Sequence, residues 1–169
     1  VWMILFLTVI SYVANRRLAR QFQLEARRTL ATADAVFKNS QQVRIKNLGL
    51  RFHSLPNDPR YLAAFKQGDI QPLHRLLAGL LREQGVDMVF YTTGNATVLA
   101  DERRDPAISP AAFETAAAPA VKLALQGSEK AGTIRVGERL YDVASVPVYD
   151  GGVLIGALTL GSEIGRAEA

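Results

Sequence analysis

The first 48 residues form an apolar run followed by a charged, helix-prone stretch, and neither part contains Gly or Pro. Residues 1–14 are almost entirely apolar, whereas polar and charged residues dominate from Asn15 to Gly49. As a helix the apolar run spans about 21 Å, which is short of the ~30 Å hydrocarbon core of a bilayer. Because the chain begins without Met, we expect residues 1–14 to be the end of a transmembrane helix. A signal-peptide core and a buried soluble helix are the alternatives, although no small-residue cleavage site precedes the arginines.

Residues 15–54 are predicted to form one long helix, which Pro56 and Pro59 bring to an end. Along it, small or weakly apolar residues recur at alternating spacings of four and three, the pattern of a coiled-coil seam. They are Phe22, Ala26, Thr29, Ala33, Val36, Ser40, Val43, Asn47 and Leu50. A weak seam favours a signalling helix that pairs with a second copy and shifts against it. The alternative is a helix packed permanently on its own domain, and the two halves of the helix can differ in this respect.

Beyond these prolines the apolar periodicity predicts two shorter helices. Asp58 and Pro59 are typical of the cap and first position of a helix, which we expect to run through Phe65. Asp69 is placed to cap a second helix, which Gly85 ends. The apolar stripe of this second helix consists of Leu73, Leu76, Leu77, Leu80 and Leu81.

From residue 86 onward the apolar period changes to two, which is typical of strands. We predict strands at residues 86–93, 96–100, 132–136, 139–149 and 153–161, with turn residues at 94–95, 137–138 and 150–152. A helix that begins at Ser109-Pro110 and runs to Gly127, with a bend at Pro119, separates the second strand from the third. This order predicts an α+β fold with a five-stranded antiparallel sheet, strand order 2-1-5-4-3, and helices on one side.

The composition, with 49% hydrophobic and 21% charged residues, is that of an ordinary globular protein. The net charge of +4 forms no basic stripe with stacking aromatics, which argues against nucleic-acid binding. Arginines cluster instead beside the apolar run, where they suit lipid headgroups; these are Arg16, Arg17, Arg20, Arg27 and Arg28. Basic residues next to a span usually mark its cytoplasmic side, so these arginines favour a cytoplasmic location for the residues that follow. This conflicts with an extracytoplasmic location for the folded domain. The absence of Cys excludes disulfides and thiolate chemistry.

Three stretches of the chain resemble a known family. GVDMVFYTTGNATVLADERR resembles the opening hairpin of Cache domains, the PAS-like extracytoplasmic sensor modules, and GERLYDVASVPVYDGGVLIGALTLGSEI resembles their closing hairpin. LPNDPRYLAAFKQGDIQPLHRLLAGLL is similar to the linker helices of the double-Cache subgroup of sensor kinases and cyclases. The resemblance covers most of residues 55–164. It implies a PAS-like sheet with flanking helices and a long N-terminal helix continuous with the membrane span.

On this resemblance, the ligand binds the sheet face opposite the long helix, under the segment between strands two and three. We expect one face of neighbouring strands to carry the ligand-binding residues Tyr91, Thr93, Tyr141, Val143 and Ser145. Four basic residues, Arg103, Arg104, Lys130 and Arg139, are expected around the pocket and favour an anionic ligand. Solvated loop charge, balanced by Asp101, Glu102 and Asp105, is the alternative. The Tyr, Arg and Trp run of amino-acid-binding Cache domains does not match, since the only Trp is Trp2.

No cofactor, metal site or catalytic group is predicted. His53 and His74 lie on different predicted helices, and no further ligand except Asp58 is near them in sequence. We expect both to be exposed or capping histidines. Asp87 and Asp142 fall in apolar strands, where a buried carboxylate needs a partner, so we expect a structural hydrogen bond for each.

The sequence thus predicts the extracytoplasmic ligand-sensing input domain of a bacterial membrane receptor, of the sensor kinase, nucleotide cyclase or chemoreceptor type. Residues 55–164 are the sensor module and residues 165–169 begin an exit helix. The expected partners are a small-molecule ligand, the membrane, and a second copy bound through the long helix. The alternative is a membrane-anchored interaction or scaffold module that binds no small molecule.

Overall fold

The computed structural model describes residues 35–165. The predicted membrane span at residues 1–14, the first part of the long helix and the predicted exit helix lie outside this range. Two compact units divide the chain, Val1–Gln42 and Val43–Ala169, and the folded module belongs to the second. Among residues 35–165, no helix combines the length and apolar character needed to cross a membrane.

Four α-helices and one 3-10 turn are present in the described range. Helix α1 occupies residues 35–52, a 3-10 turn follows at Leu55–Asn57, and the others are α2 (Pro59–Gln67), α3 (Ile70–Gln84) and α4 (Pro110–Ala124). Three predicted helix starts are confirmed within one or two residues. The Asp58 carboxylate accepts a hydrogen bond from the Arg60 amide at 3.0 Å and caps α2. Asp69 is the N-cap residue of α3 but makes no side-chain capping bond.

The five strands are β1 (Met88–Thr93), β2 (Val98–Arg103), β3 (Lys130–Val136), β4 (Arg139–Asp150) and β5 (Val153–Glu163). They form one antiparallel sheet in the order β2-β1-β5-β4-β3, which confirms the predicted topology. Strand β2 lies two to three residues later than predicted, and β5 extends two residues further. The β4–β5 turn uses Gly151 and Gly152, both with positive φ, a conformation that glycine adopts without steric cost.

Each face of the sheet carries its own apolar core, so the prediction that all helices lie on one side is wrong. The first core joins α2, α3 and the end of α1 to one face, and it includes Phe52, Phe65 and the buried α3 leucines. The second joins α4 to the other face through Phe113, Ala117 and Val121. Helix α4 continues through Pro119.

Helix α4 approaches the sheet closely because Gly161 has no side chain. A Cβ at Gly161 would overlap the ring of Phe113, which is fully buried. That ring stands edge-on to Tyr141, with centroids 5.2 Å apart, and to Phe90 at 6.3 Å. Such arrangements are preferred by aromatic pairs. The aromatic cluster therefore fixes the start of α4 on the sheet, and the rest of the helix borders open space on both flanks.

Candidate functional site

Two grooves flank α4 where it crosses the sheet. The β3 groove lies between α4 and strands β3 and β4 and has a volume of about 450 Å³. The β1 groove lies between α4 and strands β1 and β2 and has a volume of about 410 Å³. Both volumes fall in the range of about 300–1,000 Å³ typical of small-molecule sites. The α4 face is therefore the candidate site.

The β3 groove is apolar along α4 and basic along the edge strand. Ala116, Ala120 and Leu123 of α4 line one wall, and Lys130 and Arg135 of β3 lie on the other. The hydroxyl of Thr133, also in this wall, donates a hydrogen bond to Asp142 at 2.8 Å. The bonded Asp142 alternates with Tyr141 and Val143, so this hydroxyl lies on the opposite face of the sheet. The groove therefore offers an apolar surface along α4 with Lys130 and Arg135 in its edge-strand wall.

The β1 groove has a different chemistry. Phe90, Val98 and Val121 contribute apolar surface, and Thr92 contributes a hydroxyl. Thr92 is only 2% exposed, and its Oγ1 has no hydrogen-bond partner among the described residues. Buried polar atoms are nearly always paired, so this one calls for an explanation. Glu114, from α4, lies in the same wall; burial and the charge of Asp101 raise its pKa.

Tyr91 and Thr93 do not lie on the same face as the other predicted strand residues. Tyr91 pairs with Leu158, and Leu158 pairs with Val146, so Tyr91 belongs to the core under α2 and α3. Its ring stacks on Phe65 with centroids 4.5 Å apart, and burial raises its pKa to about 12. The prediction of one shared face is therefore wrong for this pair. The Thr93 hydroxyl donates to the Thr97 carbonyl at 3.2 Å in the hairpin turn.

Tyr141, Val143 and Ser145 do share the face under α4. Tyr141 and Val143 are buried in the α4 core, and Val143 also lines the β3 groove. Burial raises the pKa of Tyr141. The hydroxyls of Ser145 and Thr159 lie 2.9 Å apart and are hydrogen-bonded to each other. Ser145 thus has a structural partner, whereas the unpaired hydroxyl on this face belongs to Thr92.

Two of the three predicted arginines, Arg104 and Arg139, belong to a charged cluster at one end of the sheet. It is named here the exit cluster and consists of Asp87, Arg104, Asp105, Arg139 and Glu163. The Arg104 Nε lies 3.7 Å from the Asp87 carboxylate. Arg139 donates to Asp105 at 2.8 Å and lies 3.6 Å from Glu163. The Glu163 amide donates to Asp87 at 2.8 Å. The cluster therefore joins the last residue of β5 to the loop that leads into α4.

The remaining predicted residues have local partners. Arg103 ends β2 rather than lying in the covering loop, and it donates to the Ile108 carbonyl at 3.0 Å. Of the four predicted basic residues, only Lys130 lines either groove. His53 pairs with Glu129, and His74 lies 2.8 Å from Glu102. No group of three or more metal-ligating side chains occurs among residues 35–165.

Sequence reasoning missed Thr92 and Glu114 and placed Asp101 only among balancing loop charges. Asp101 is in β2 and pairs with Phe90, which places it on the α4 face. Nothing in a single sequence marks Thr92 as a residue without a partner, because its environment depends on how α4 crosses the sheet. The alternation of residues 88–93 does place Thr92 on the same face as Phe90, and that was the available signal.

The sheet packs between α4 on one face and the other helices on the opposite face, and comparison of the sequence with protein families identifies the family. The family described as the double sensory domain of two-component sensor kinase, a double-Cache family, matches residues 20–167. The chain belongs to this family. Domains of the double-Cache family are sensory rather than catalytic. No curated protein matches the chain significantly.

Solved structures of Cache sensor domains share the fold. The sensor domain of Escherichia coli DcuS is 15% identical to this chain, with a TM-score of 0.57. The alignment covers 75% of this chain and 94% of the DcuS chain. The sensor domain of the Vibrio cholerae histidine kinase DctB has 13% identity and a TM-score of 0.50. The alignment with DctB covers 79% of this chain and 57% of the DctB chain. At these identities the likeness shows the fold alone.

A further structure is that of the Campylobacter jejuni chemoreceptor Tlp3 with isoleucine bound. It is 13% identical to this chain, with a TM-score of 0.43. The alignment covers 77% of this chain and 60% of the Tlp3 chain. The double-Cache chain described here thus spans little more than half the length of the DctB and Tlp3 sensor regions.

Proposed function

We propose that this double-Cache chain is the extracytoplasmic ligand-sensing input domain of a bacterial membrane receptor. The output is of the sensor kinase, nucleotide cyclase or chemoreceptor type and lies on another part of the protein. The observation that carries the proposal is the difference between the two faces of the sheet. One face is filled by a continuous core of aromatic and leucine side chains, whereas the other is crossed by a single helix with a groove on each flank.

A ligand in either groove contacts α4, and contacts within the module connect α4 to both ends of the receptor domain. The exit cluster joins the loop before α4 to Glu163 at the end of β5. On the other side, Glu129 follows α4 and pairs with His53 at the end of α1. A ligand that binds one position of α4 more tightly than another will shift both connections. The size of the shift is set by the difference in affinity.

Signal transmission through a homodimer is the second part of the proposal. Val36, Val43 and Leu50 are 63%, 50% and 67% exposed and recur at seven-residue spacing, which is the repeat of a coiled-coil seam. Exposed apolar residues with this period support pairing of α1 with a second copy. The membrane anchor at residues 1–14 remains a prediction from the sequence.

A thermal-shift screen of the purified chain in detergent against a panel of small metabolites tests the proposal. A ligand at 100 times its Kd is expected to stabilise the chain by about 2.7 kcal/mol. Filling the grooves with Ala118→Trp (β1 groove) or Ala120→Trp (β3 groove) is expected to abolish the stabilisation that belongs to that groove. Thr115→Trp, on the exposed side of α4, is the control. The proposal is wrong if no compound stabilises the chain, or if both groove-filling variants respond like the control.

A further inference from the structure

The β1 groove lies where strand β1 departs from regular geometry. A bulge between Tyr91 and Thr92 shifts the register of β1 against β2. In the turn that follows, Ala96 has a φ of 61° and is the one non-glycine residue with positive φ among residues 35–165. This conformation is sterically costly for a residue with a Cβ, and costly backbone geometry is often found at functional sites. Thr92 and Ala96 both line the groove, so the irregular end of β1 forms part of its wall.

The unpaired hydroxyl of Thr92 is a second and independent observation. No described residue satisfies its Oγ1, and an unpaired polar atom in a buried position costs free energy. By contrast, the buried hydroxyl of Thr159, on the same face of the sheet, is paired with Ser145. A threonine hydroxyl can donate or accept a hydrogen bond, so either a carbonyl or a hydroxyl group of a ligand satisfies it. That group must reach the floor of the groove, because Thr92 is only 2% exposed.

The charges in the lining of the β1 groove balance each other. Glu114 and Lys122, both on α4, are the charged residues that line it, one of each sign. They are eight residues apart, which corresponds to about 12 Å along a helix, so they lie towards opposite ends. Most of the remaining lining is apolar and includes Phe90, Val98 and Val121. A ligand with a net charge of either sign is attracted to one end, repelled from the other, and loses hydration against the apolar surface. The lining therefore favours an uncharged ligand.

We propose that the β1 groove binds a small, uncharged, largely apolar molecule whose carbonyl or hydroxyl group pairs with the Thr92 hydroxyl. The apolar body of this molecule lies against Phe90 and Val121. The inference rests on the proposed function, because it names the ligand class for one of the two grooves of the sensor face. It differs from the anionic ligand that the sequence predicted, and none of the four basic residues named in that prediction lines this groove.

Calorimetric titration of the chain in detergent with cyclohexanone, cyclohexylamine and cyclohexanecarboxylate at neutral pH tests the ligand class. The three probes share an apolar ring and differ in charge, and titrations into detergent buffer alone are subtracted. Cyclohexanone is expected to bind roughly ten times more tightly than either charged probe, because a net charge is unfavourable against apolar side chains. Ala118→Trp fills the β1 groove and is expected to abolish cyclohexanone binding, whereas Ala120→Trp, in the β3 groove, is expected to leave it unchanged.

Thr92→Val supplies a readout that a merely structural role would not give. The substitution removes an unsatisfied buried hydroxyl at nearly constant shape, so the unliganded variant is expected to melt at a higher temperature than the parent chain. Its affinity for cyclohexanone is nevertheless expected to fall several-fold. Thr159→Val is the matched control on the same face. It removes a hydroxyl that is paired with Ser145, so the melting temperature is expected to fall and cyclohexanone binding to stay unchanged.

The outcomes separate this inference from the proposed function. Tighter binding of either charged probe than of cyclohexanone overturns the uncharged ligand class and leaves the sensor role in place. Cyclohexanone binding that is absent, or that is insensitive to Thr92→Val or to Ala118→Trp, also overturns the inference. An equal loss of affinity in Thr92→Val and Thr159→Val does the same, because the loss would then not depend on the unpaired hydroxyl. The sensor role is tested separately, by the metabolite panel and its groove-filling variants.

Discussion

Replacing Gly161 by Ala tests whether α4 is seated on the sheet as described. The new methyl group would overlap the ring of Phe113, which the rings of Phe90 and Tyr141 hold on two sides. Overpacking of this kind costs about 1–3 kcal/mol. At about 4 °C per kcal/mol for a domain of this size, we expect the melting temperature to fall by roughly 4–12 °C.

Gly132 provides a matched control for this substitution. Both glycines pair with Val143, one from each side of β4, but a Cβ at Gly132 would meet no atom within 4 Å. Gly132 also lacks a positive φ. Gly132→Ala is therefore expected to leave the free energy of unfolding unchanged or to raise it by about 0.4–1 kcal/mol.

Urea denaturation followed by far-UV circular dichroism measures both effects. Unchanged m values would show that the two variants differ in stability rather than in compactness. In the double variant with Phe113→Leu, the smaller side chain leaves room for the methyl group. The combined loss should then be smaller than the sum of the single losses, by about 0.5–3 kcal/mol. Equal urea midpoints for Gly161→Ala and Gly132→Ala would refute the contact between α4 and the sheet.

Three further predictions concern charge and assembly. Because burial and Asp101 raise the pKa of Glu114 above 4.5, protonation of Glu114 stabilises the fold. This stabilisation is complete below the pKa of Glu114 in the unfolded chain, about 4.5, and is lost as the pH rises through its higher pKa in the folded chain. Glu114→Gln should therefore flatten the pH dependence of the melting temperature between these two pKa values. Asp87→Ala leaves the Glu163 amide without its acceptor and should cost about 1–3 kcal/mol in urea unfolding, together with a changed receptor output. Leu50→Asp should shift the sedimentation equilibrium from dimer towards monomer. The melting temperature of the monomer should stay the same, because Leu50 is 67% exposed. An unchanged proportion of dimer would exclude pairing of α1 at this position.

The elements of the fold were predictable because their signals are local. Asp58 and Pro59 mark a helix start through a capping bond and a fixed φ. Alternation of apolar residues defines β4 and β5, and the two glycines between them permit the tight turn. The strand order followed from short connections, since β4 and β5 are adjacent in sequence and β1 must pair beside them.

The faces of the strands were not predictable in the same way. Tyr91 and Tyr141 are both buried and both stand in alternating patterns, yet the β1–β5 register places them on opposite sides of the sheet. A shift of one residue exchanges the two faces, and the paired residues of β1 and β5 are 63 to 73 positions apart in sequence, from Thr93–Gly156 to Met88–Gly161. A bulge between Tyr91 and Thr92 also changes the register with β2.

The site depends on the same long-range geometry. Thr92 and Glu114 line the same groove, and that follows from the way α4 packs across the sheet at the Gly161–Phe113 contact. The arginines were interpreted as anion-binding groups, with Asp105 named only as an alternative partner. In the fold Arg103 donates to the Ile108 carbonyl, Arg104 approaches Asp87, and Arg139 donates to Asp105. Residue types indicated the available chemistry, and the packing of α4 decided which groups face a groove.

Hydrogen–deuterium exchange of the intact receptor tests the central claim most directly, which is that ligands are sensed on the α4 face of the sheet. The compound that stabilises the chain most in the thermal-shift screen is compared with buffer. We predict slower exchange in α4 and in the strands beneath it, accompanied by changed exchange at residues 161–165, where the exit cluster holds the end of β5. Slower exchange confined to α2 and α3, or a response in α4 with no change at residues 161–165, would contradict the account.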